Sequence, residues 1–297
     1  MNERITRLIA DTCRDFERAD VVMRDGTKLV AYEYGCQGAP WVVVVNPIGV
    51  PIVISSRLIR SLGERYRVIC WEQRGYGAES AQFFSRPHDY AVFLTDLEEI
   101  VADRCPCALV GVCSGASLAI SAVARGLVDA SPLVLVSPAV YFEDGYSQSL
   151  FDLAVVPYLR RISGDRQFAK EWVETAAAAQ NPRAVAEDDD MVIEAGDTAS
   201  LKSVDSLSVH ARVVHIFTDV RLDQEIAALK QKTFVFCAAD DQVVSVKSVR
   251  RLCSHLPNAE LQEHPRGGHF LVFKSRAVRE TICDVINSFR AFNVHVA

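Results

Sequence analysis

The chain has 297 residues, 49% of them hydrophobic and 24% charged, the composition of a soluble globular protein large enough for one α/β domain with an insertion or for two small domains. A net charge of −6 argues against nucleic acid as a partner, and no apolar run is long enough to span a membrane. Nine cysteines are scattered without a paired framework, as expected of reduced thiols in a cytoplasmic protein, and the Cys105-Pro-Cys107 pair has no His/Cys cluster nearby, so neither a metal nor a cofactor is implied.

The first eighteen residues mix both charge signs with apolar spacing and read as an amphipathic helix, not a signal peptide. Val21–Met23 and Lys28–Tyr34 look like two strands joined by a hairpin turn at Arg24–Thr27. Trp41–Val45 is a continuous apolar run that fits a strand buried on both faces, and it ends in Asn46-Pro47-Ile48-Gly49. An amphipathic stretch from Ile54 to Leu62 separates it from a second buried strand, Tyr66–Trp71. That strand leads to the glycine-containing loop Glu72-Gln-Arg74-Gly75-Tyr-Gly77-Ala-Glu-Ser80. Tyr90–Asp103 has helical apolar spacing with acidic residues on its other face.

The chain is organised around Ala108-Leu-Val-Gly111-Val-Cys113-Ser114-Gly115, an apolar strand that turns abruptly into the helix-forming segment from Ser117 to Arg125. The spacing is that of a nucleophile elbow, small-x-nucleophile-x-small, with cysteine where serine is usual. A reactive side chain on so tight a turn takes a strained backbone conformation, and its neighbours two residues away must be small. Centring the elbow on Cys113 puts Gly111 and Gly115 at those positions. Centring it on Ser114 would put Val112 and Ala116 there, which favours Cys113 as nucleophile and leaves Ser114 to give its backbone N–H. Taken alone, the motif would also suit a buried cysteine at a strand end.

Pro132–Val136 is the next strand, and strands alternating with helices imply a parallel sheet with right-handed crossovers. From Ala139 to Val220 the alternation stops. Helix-like pieces (Ser149–Arg161, Gln167–Gln180 and a weaker one ending near Ala195, after the acidic turn Glu187–Asp190) suggest a helical cap at 139–220, inserted into a core made of 1–138 and 221–297. The helix Asp223–Lys230, the strand Thr233–Cys237, the loop Ala238–Ser245, the helix Val246–Leu256, the strand Glu260–His264 and the helix Ala277–Phe292 complete the core. Pro265-Arg-Gly-Gly-His269-Phe stands before that last helix.

In this order the chain resembles the α/β-hydrolase family over nearly its whole length. Four motifs carry the likeness: the elbow; Glu72-Gln-Arg74-Gly75-Tyr-Gly77-Ala-Glu-Ser80, similar to a D-x-R-G-x-G-x-S loop with Glu72 in place of Asp; Asp240-Asp241-Gln-Val-Val244, similar to the acid-bearing loop; and Gly267-Gly-His269-Phe, similar to the C-terminal histidine motif. The resemblance implies a mostly parallel eight-stranded sheet with the cap after its sixth strand. It also implies Cys113 as nucleophile, His269 as general base and then acid, and Asp241 as the acid that orients His269. Asp241 stands at D-x-x-V relative to Val244, and the adjacent Asp240 is the alternative. His264 falls in a strand pattern and reads as structural. The oxyanion donors would be the N–H groups of Ser114 and Ile48. The chain departs from the family at Asn46-Pro47, where a His-Gly is usual; the Asn46 side chain is an alternative donor, and Gly49 would let the loop turn.

A thiol nucleophile resembles that of thioesterases and acyltransferases of natural-product pathways, and more distantly that of dienelactone hydrolases and polyhydroxyalkanoate synthases. It would make the intermediate a thioester, whose exchange with a CoA or carrier-protein thioester is nearly isoenergetic. The expectation is an acyl-transfer enzyme passing an acyl group to a small nucleophile or water. An ester or lactone hydrolase and a catalytically silent binding protein are the alternatives.

Overall fold

The computed structural model describes residues 10–76, 83, 88–145, 148–179, 190, 192–193, 196 and 199–294. Its centre is an eight-stranded sheet in the order β1-β2-β4-β3-β5-β6-β7-β8. The strands are β1 Glu17–Val22, β2 Lys28–Tyr34, β3 Trp41–Val45, β4 Arg67–Trp71, β5 Ala108–Val112, β6 Leu133–Val136, β7 Thr233–Ala238 and β8 Ala259–His264. β2 pairs antiparallel with β1 and β4, and every other pairing is parallel. Strands covered on both faces read as unbroken apolar runs. In β3, Val43 and Val45 join the core on one side of the sheet, while Val42 and Val44 join the core on the other.

The start of the chain differs from the helix expected through Arg18. Residues 10–13 are helical, but Glu17 and Arg18 already belong to β1, and residues 1–9 lie outside the described part. Backbone pairing overrides local helix preference here. Glu17 stands opposite Glu33, and buried Arg67 donates to both carboxylates at 2.6–2.8 Å, which removes the like-charge conflict across the pair.

The loop after β4 is held by a buried ion pair. Arg74 Nε donates to Asp96 Oδ2 at 2.8 Å, and its Nη1 reaches Asp25 Oδ2 at 2.7 Å and the Thr27 hydroxyl at 2.6 Å. Arg74 therefore ties the β1–β2 hairpin to the helix Tyr90–Val101, which bears Asp96. Gly77–Ser80, the rest of that motif, lie outside the described residues, as do Gln180, Glu187–Asp189 and Ala195 of the expected cap pieces.

Between β6 and β7 the described residues include α-helices α1 Leu150–Ala154, α2 Val156–Gly164, α3 Arg166–Ala179 and α4 Val204–Asp219. α4 has no counterpart in the sequence reading. Its apolar residues Leu207, Val209, Ala211, Val213, Val214 and Phe217 are all buried, so they cover too much of its circumference to show a clean amphipathic stripe. The elbow helix is α5 Ser114–Ala124, and the last helix is α6 Arg276–Val294. The carboxyl ends of β3, β5, β7 and β8 open onto one edge of the sheet, where ligands bind in open α/β sheets.

Candidate active site

Cys113 is the residue between β5 and α5, at φ 52° and ψ −120°. A non-glycine residue held there costs about 1–3 kcal/mol, so the surroundings must enforce it. They do so with backbone hydrogen bonds: Cys113 N–H donates to the Val136 carbonyl at 2.9 Å, and its own carbonyl accepts from Ala116 at 3.0 Å and Ala139 at 3.1 Å. The two glycines are required by contact. A Cβ on Gly111 would lie 2.5 Å from the Ala116 Cα, and one on Gly115 would overlap the Val45 carbonyl oxygen.

His269 reaches the same point from the loop after β8. Its Nδ1–H donates to Asp241 Oδ2 at 3.0 Å, and the ring also hydrogen-bonds with the Cys113 thiol. The other Asp241 oxygen accepts from the N–H groups of Val243 (2.8 Å) and Val244 (2.9 Å). Burial alone would raise the Asp241 pKa, but the bond and charge of His269 and these two N–H groups hold it below the ordinary carboxylate value. Burial works against a charged His269, yet the Cys113 sulfur and Asp241 together raise its pKa well above that of a free imidazole. Asp240 has a different task. It is exposed, and its carboxylate accepts from the N–H groups of Gly268 (2.8 Å) and Gly267 (3.3 Å), fixing the glycine turn that presents His269. The pairing with His269 thus belongs to Asp241.

The loop after β3 corrects two expectations. Asn46 is fully buried and bonded within its own loop: its Nδ2 donates to the Val50 carbonyl at 2.7 Å and its Oδ1 accepts from the Ser55 hydroxyl at 2.6 Å. Its side chain shapes the loop and is not part of the cavity wall beside Cys113. Ile48 N–H, the expected second oxyanion donor, donates to Ser114 Oγ at 3.0 Å. Ser114 N–H, at the first position of α5, has no carbonyl of its own helix to bond and points out of the helix N-terminus.

A family model described as "Alpha/beta hydrolase family" matches residues 38–282. The chain belongs to this family. No curated protein is a significant match by sequence. Among solved structures, this alpha/beta hydrolase is similar to a bacterial membrane phospholipase A, with TM-score 0.73 and 16% identity over 96% of this chain and 92% of that one. It is also similar to an esterase from Exiguobacterium antarcticum (TM-score 0.67, 18% identity, 92% and 99% covered) and to an enol-lactonase from Burkholderia xenovorans (TM-score 0.66, 15% identity, 91% and 100% covered). At these identities the likeness is one of fold.

In this alpha/beta hydrolase a cavity of about 290 Å³ opens above Cys113 and His269. Its wall is largely apolar, with Val112, Ile54, Val243, Phe270 and Val272 from the core and Phe151, Val214 and Phe217 from the segment between β6 and β7. Phe217 is held by edge-to-face contacts with Tyr90 and Phe93, each 5.1 Å between ring centres. Of the aromatic residues of that segment, Tyr141 and Phe151 line the cavity, whereas Tyr158 and Trp172 stack on each other at 5.0 Å and are not part of its wall. His210 on α4 also lines the cavity and was not legible in the sequence, because α4 itself was not. No helix among the described residues is long and apolar enough to cross a membrane.

Proposed function

We propose that this alpha/beta hydrolase transfers acyl groups through a covalent thioester on Cys113. The observation that carries the proposal is the chain of contacts from the Cys113 sulfur through His269 to Asp241, at the floor of an apolar cavity. His269 takes the thiol proton, the thiolate attacks the acyl carbonyl, and His269 returns the proton to the leaving group. Asp241 keeps the imidazole oriented and stabilises its charged form. The donor is a CoA or carrier-protein thioester, and the acceptor is a small nucleophile or water. The 139–220 segment acts as a cap that keeps water from the thioester and receives an apolar acyl chain. A thioester intermediate favours transfer over hydrolysis, because amines, thiols and carbanions react with it more readily than with an oxygen ester.

A second reading, hydrolysis of an ester or lactone at the same three residues, is favoured by the fold likeness to an esterase and an enol-lactonase. A silent binding protein is disfavoured, since a pocket that only binds has no need of a carboxylate and an imidazole in register with a strained thiol. Intact-protein mass spectrometry after incubation with acyl-CoA and acyl-pantetheine thioesters separates these readings. A lasting acyl mass shift that requires Cys113 and is slowed in His269→Ala supports transfer. Turnover to free acid without accumulation supports hydrolysis. No adduct from any thioester or ester, with Cys113 also inert to alkylation at neutral pH, overturns both.

A further inference from the structure

We propose that His210 is a catalytic residue of this site, supplying the second hydrogen bond to the oxyanion that forms when Cys113 attacks a carbonyl. The inference rests on the acyl-transfer reading and deepens it.

An acyl-transfer site needs donors placed where negative charge develops. Ser114 N–H is one. In the loop after β3, the groups expected to supply the other are committed elsewhere. Pro47 lacks an N–H, Ile48 N–H is bound to Ser114 Oγ, and Asn46 Nδ2 is bound to the Val50 carbonyl. Among the other polar side chains on the cavity wall, the Tyr141 hydroxyl donates to Asp152 at 3.3 Å, the Thr218 hydroxyl donates to the His215 carbonyl at 3.1 Å, and the Ser114 hydroxyl accepts from Ile48 N–H.

His210 is the exception. Its Nδ1 is buried without a hydrogen-bond partner among the described residues. A buried polar atom left unpaired calls for a reason. The ring lies directly on the oxyanion loop: Gly49 sits at φ +65°, and a Cβ there would collide with His210 Nδ1. Glycine at 49 therefore allows both the turn and the approach of the imidazole. Burial pushes the His210 pKa down to about 4, so near neutral pH the ring is uncharged and carries one N–H. In the reaction, a C–S bond forms between Cys113 Sγ and the carbonyl carbon while the carbonyl π pair moves onto oxygen. That oxygen accepts from Ser114 N–H and from the His210 N–H. When the C=O bond re-forms, the leaving thiolate or alkoxide departs and takes its proton from His269, while His210 keeps its own proton throughout.

The test compares wild type, His210→Ala and His210→Gln in two reactions of Cys113. Acylation by p-nitrophenyl butyrate and butyryl-CoA passes through an oxyanion, whereas alkylation by iodoacetamide does not. With one donor removed, acylation of His210→Ala falls roughly 10²–10³-fold while its alkylation stays within about twofold of wild type. His210→Gln, which keeps an N–H donor, regains part of the acylation rate. Equal acylation in wild type and His210→Ala overturns the assignment, and so does a parallel loss of acylation and alkylation. A wild-type protein that is alkylated but accepts no acyl group from any ester or thioester overturns the acyl-transfer reading itself, and the role of His210 with it.

Discussion

Asp241 and His269 stand 28 residues apart in sequence and 3.0 Å apart in space, while the carboxylate of Asp240, one residue earlier, bonds the turn that carries the histidine. Two adjacent carboxylates thus divide between orienting the imidazole and shaping its loop. Their substitutions separate accordingly. Asp241→Asn loses the charge that stabilises imidazolium, and turnover falls roughly 10²–10⁴-fold. Asp240→Asn weakens exposed turn bonds and costs about 1 kcal/mol of stability with turnover largely kept. Steady-state rates and denaturant midpoints of the two variants check this, and equal losses of activity would contradict the division.

The same pair sets a pH window for stability. His269 has a folded pKa above its unfolded value, so its contribution is fully present below about pH 6.5 and fades as pH rises through the folded pKa. Asp241 has a folded pKa below its unfolded value, so its contribution is fully present above about pH 4 and fades as pH falls through the folded pKa. Both are complete between those limits. The melting-temperature advantage of wild type over Asp241→Asn is therefore largest at mildly acidic pH and shrinks on the alkaline side. An advantage that grew with alkalinity would contradict the charged pair.

Arg74 and Asp96 form a pair in which both side chains are almost fully buried, 3% and 0% exposed. Replacing Arg74 with Met leaves the Asp96 carboxylate buried without its cation, at a cost of about 3–5 kcal/mol. Arg74→Met combined with Asp96→Leu recovers much of that loss, because no charge is then stranded. Guanidinium unfolding of the single and double variants gives the comparison, and a single variant as stable as wild type would rule out a structural role for the pair.

At the elbow, Gly115→Ala places a methyl group against the Val45 carbonyl, a backbone atom that cannot turn aside as a side chain would. The overpacking costs about 1–3 kcal/mol and shifts β3 against β5, so Cys113 alkylation slows as well. Cys113→Ala keeps the same backbone and stays folded without reactivity. Thermal melts together with an iodoacetamide time course distinguish the two.

Much of this molecule follows from local rules. The buried strands announce themselves as apolar runs because both their faces are covered. Gly111, Cys113 and Gly115 mark the elbow because a tight strand-to-helix turn excludes side chains on either side of a strained residue. Asp241 and His269 are legible through short motifs in the right chain order. What escapes is whatever depends on distant partners. The state of Ile48 N–H is decided by Ser114, 66 residues further on, and the Asn46 amide is claimed by Val50 and Ser55 once the loop folds back. β1 replaces a helix where Arg67 bridges Glu17 and Glu33. His210 gains meaning only when α4 lays it on Gly49. Local sterics and hydrophobic patterning are written residue by residue along the chain, whereas the choice of which donor meets which acceptor is made by packing between segments far apart in sequence.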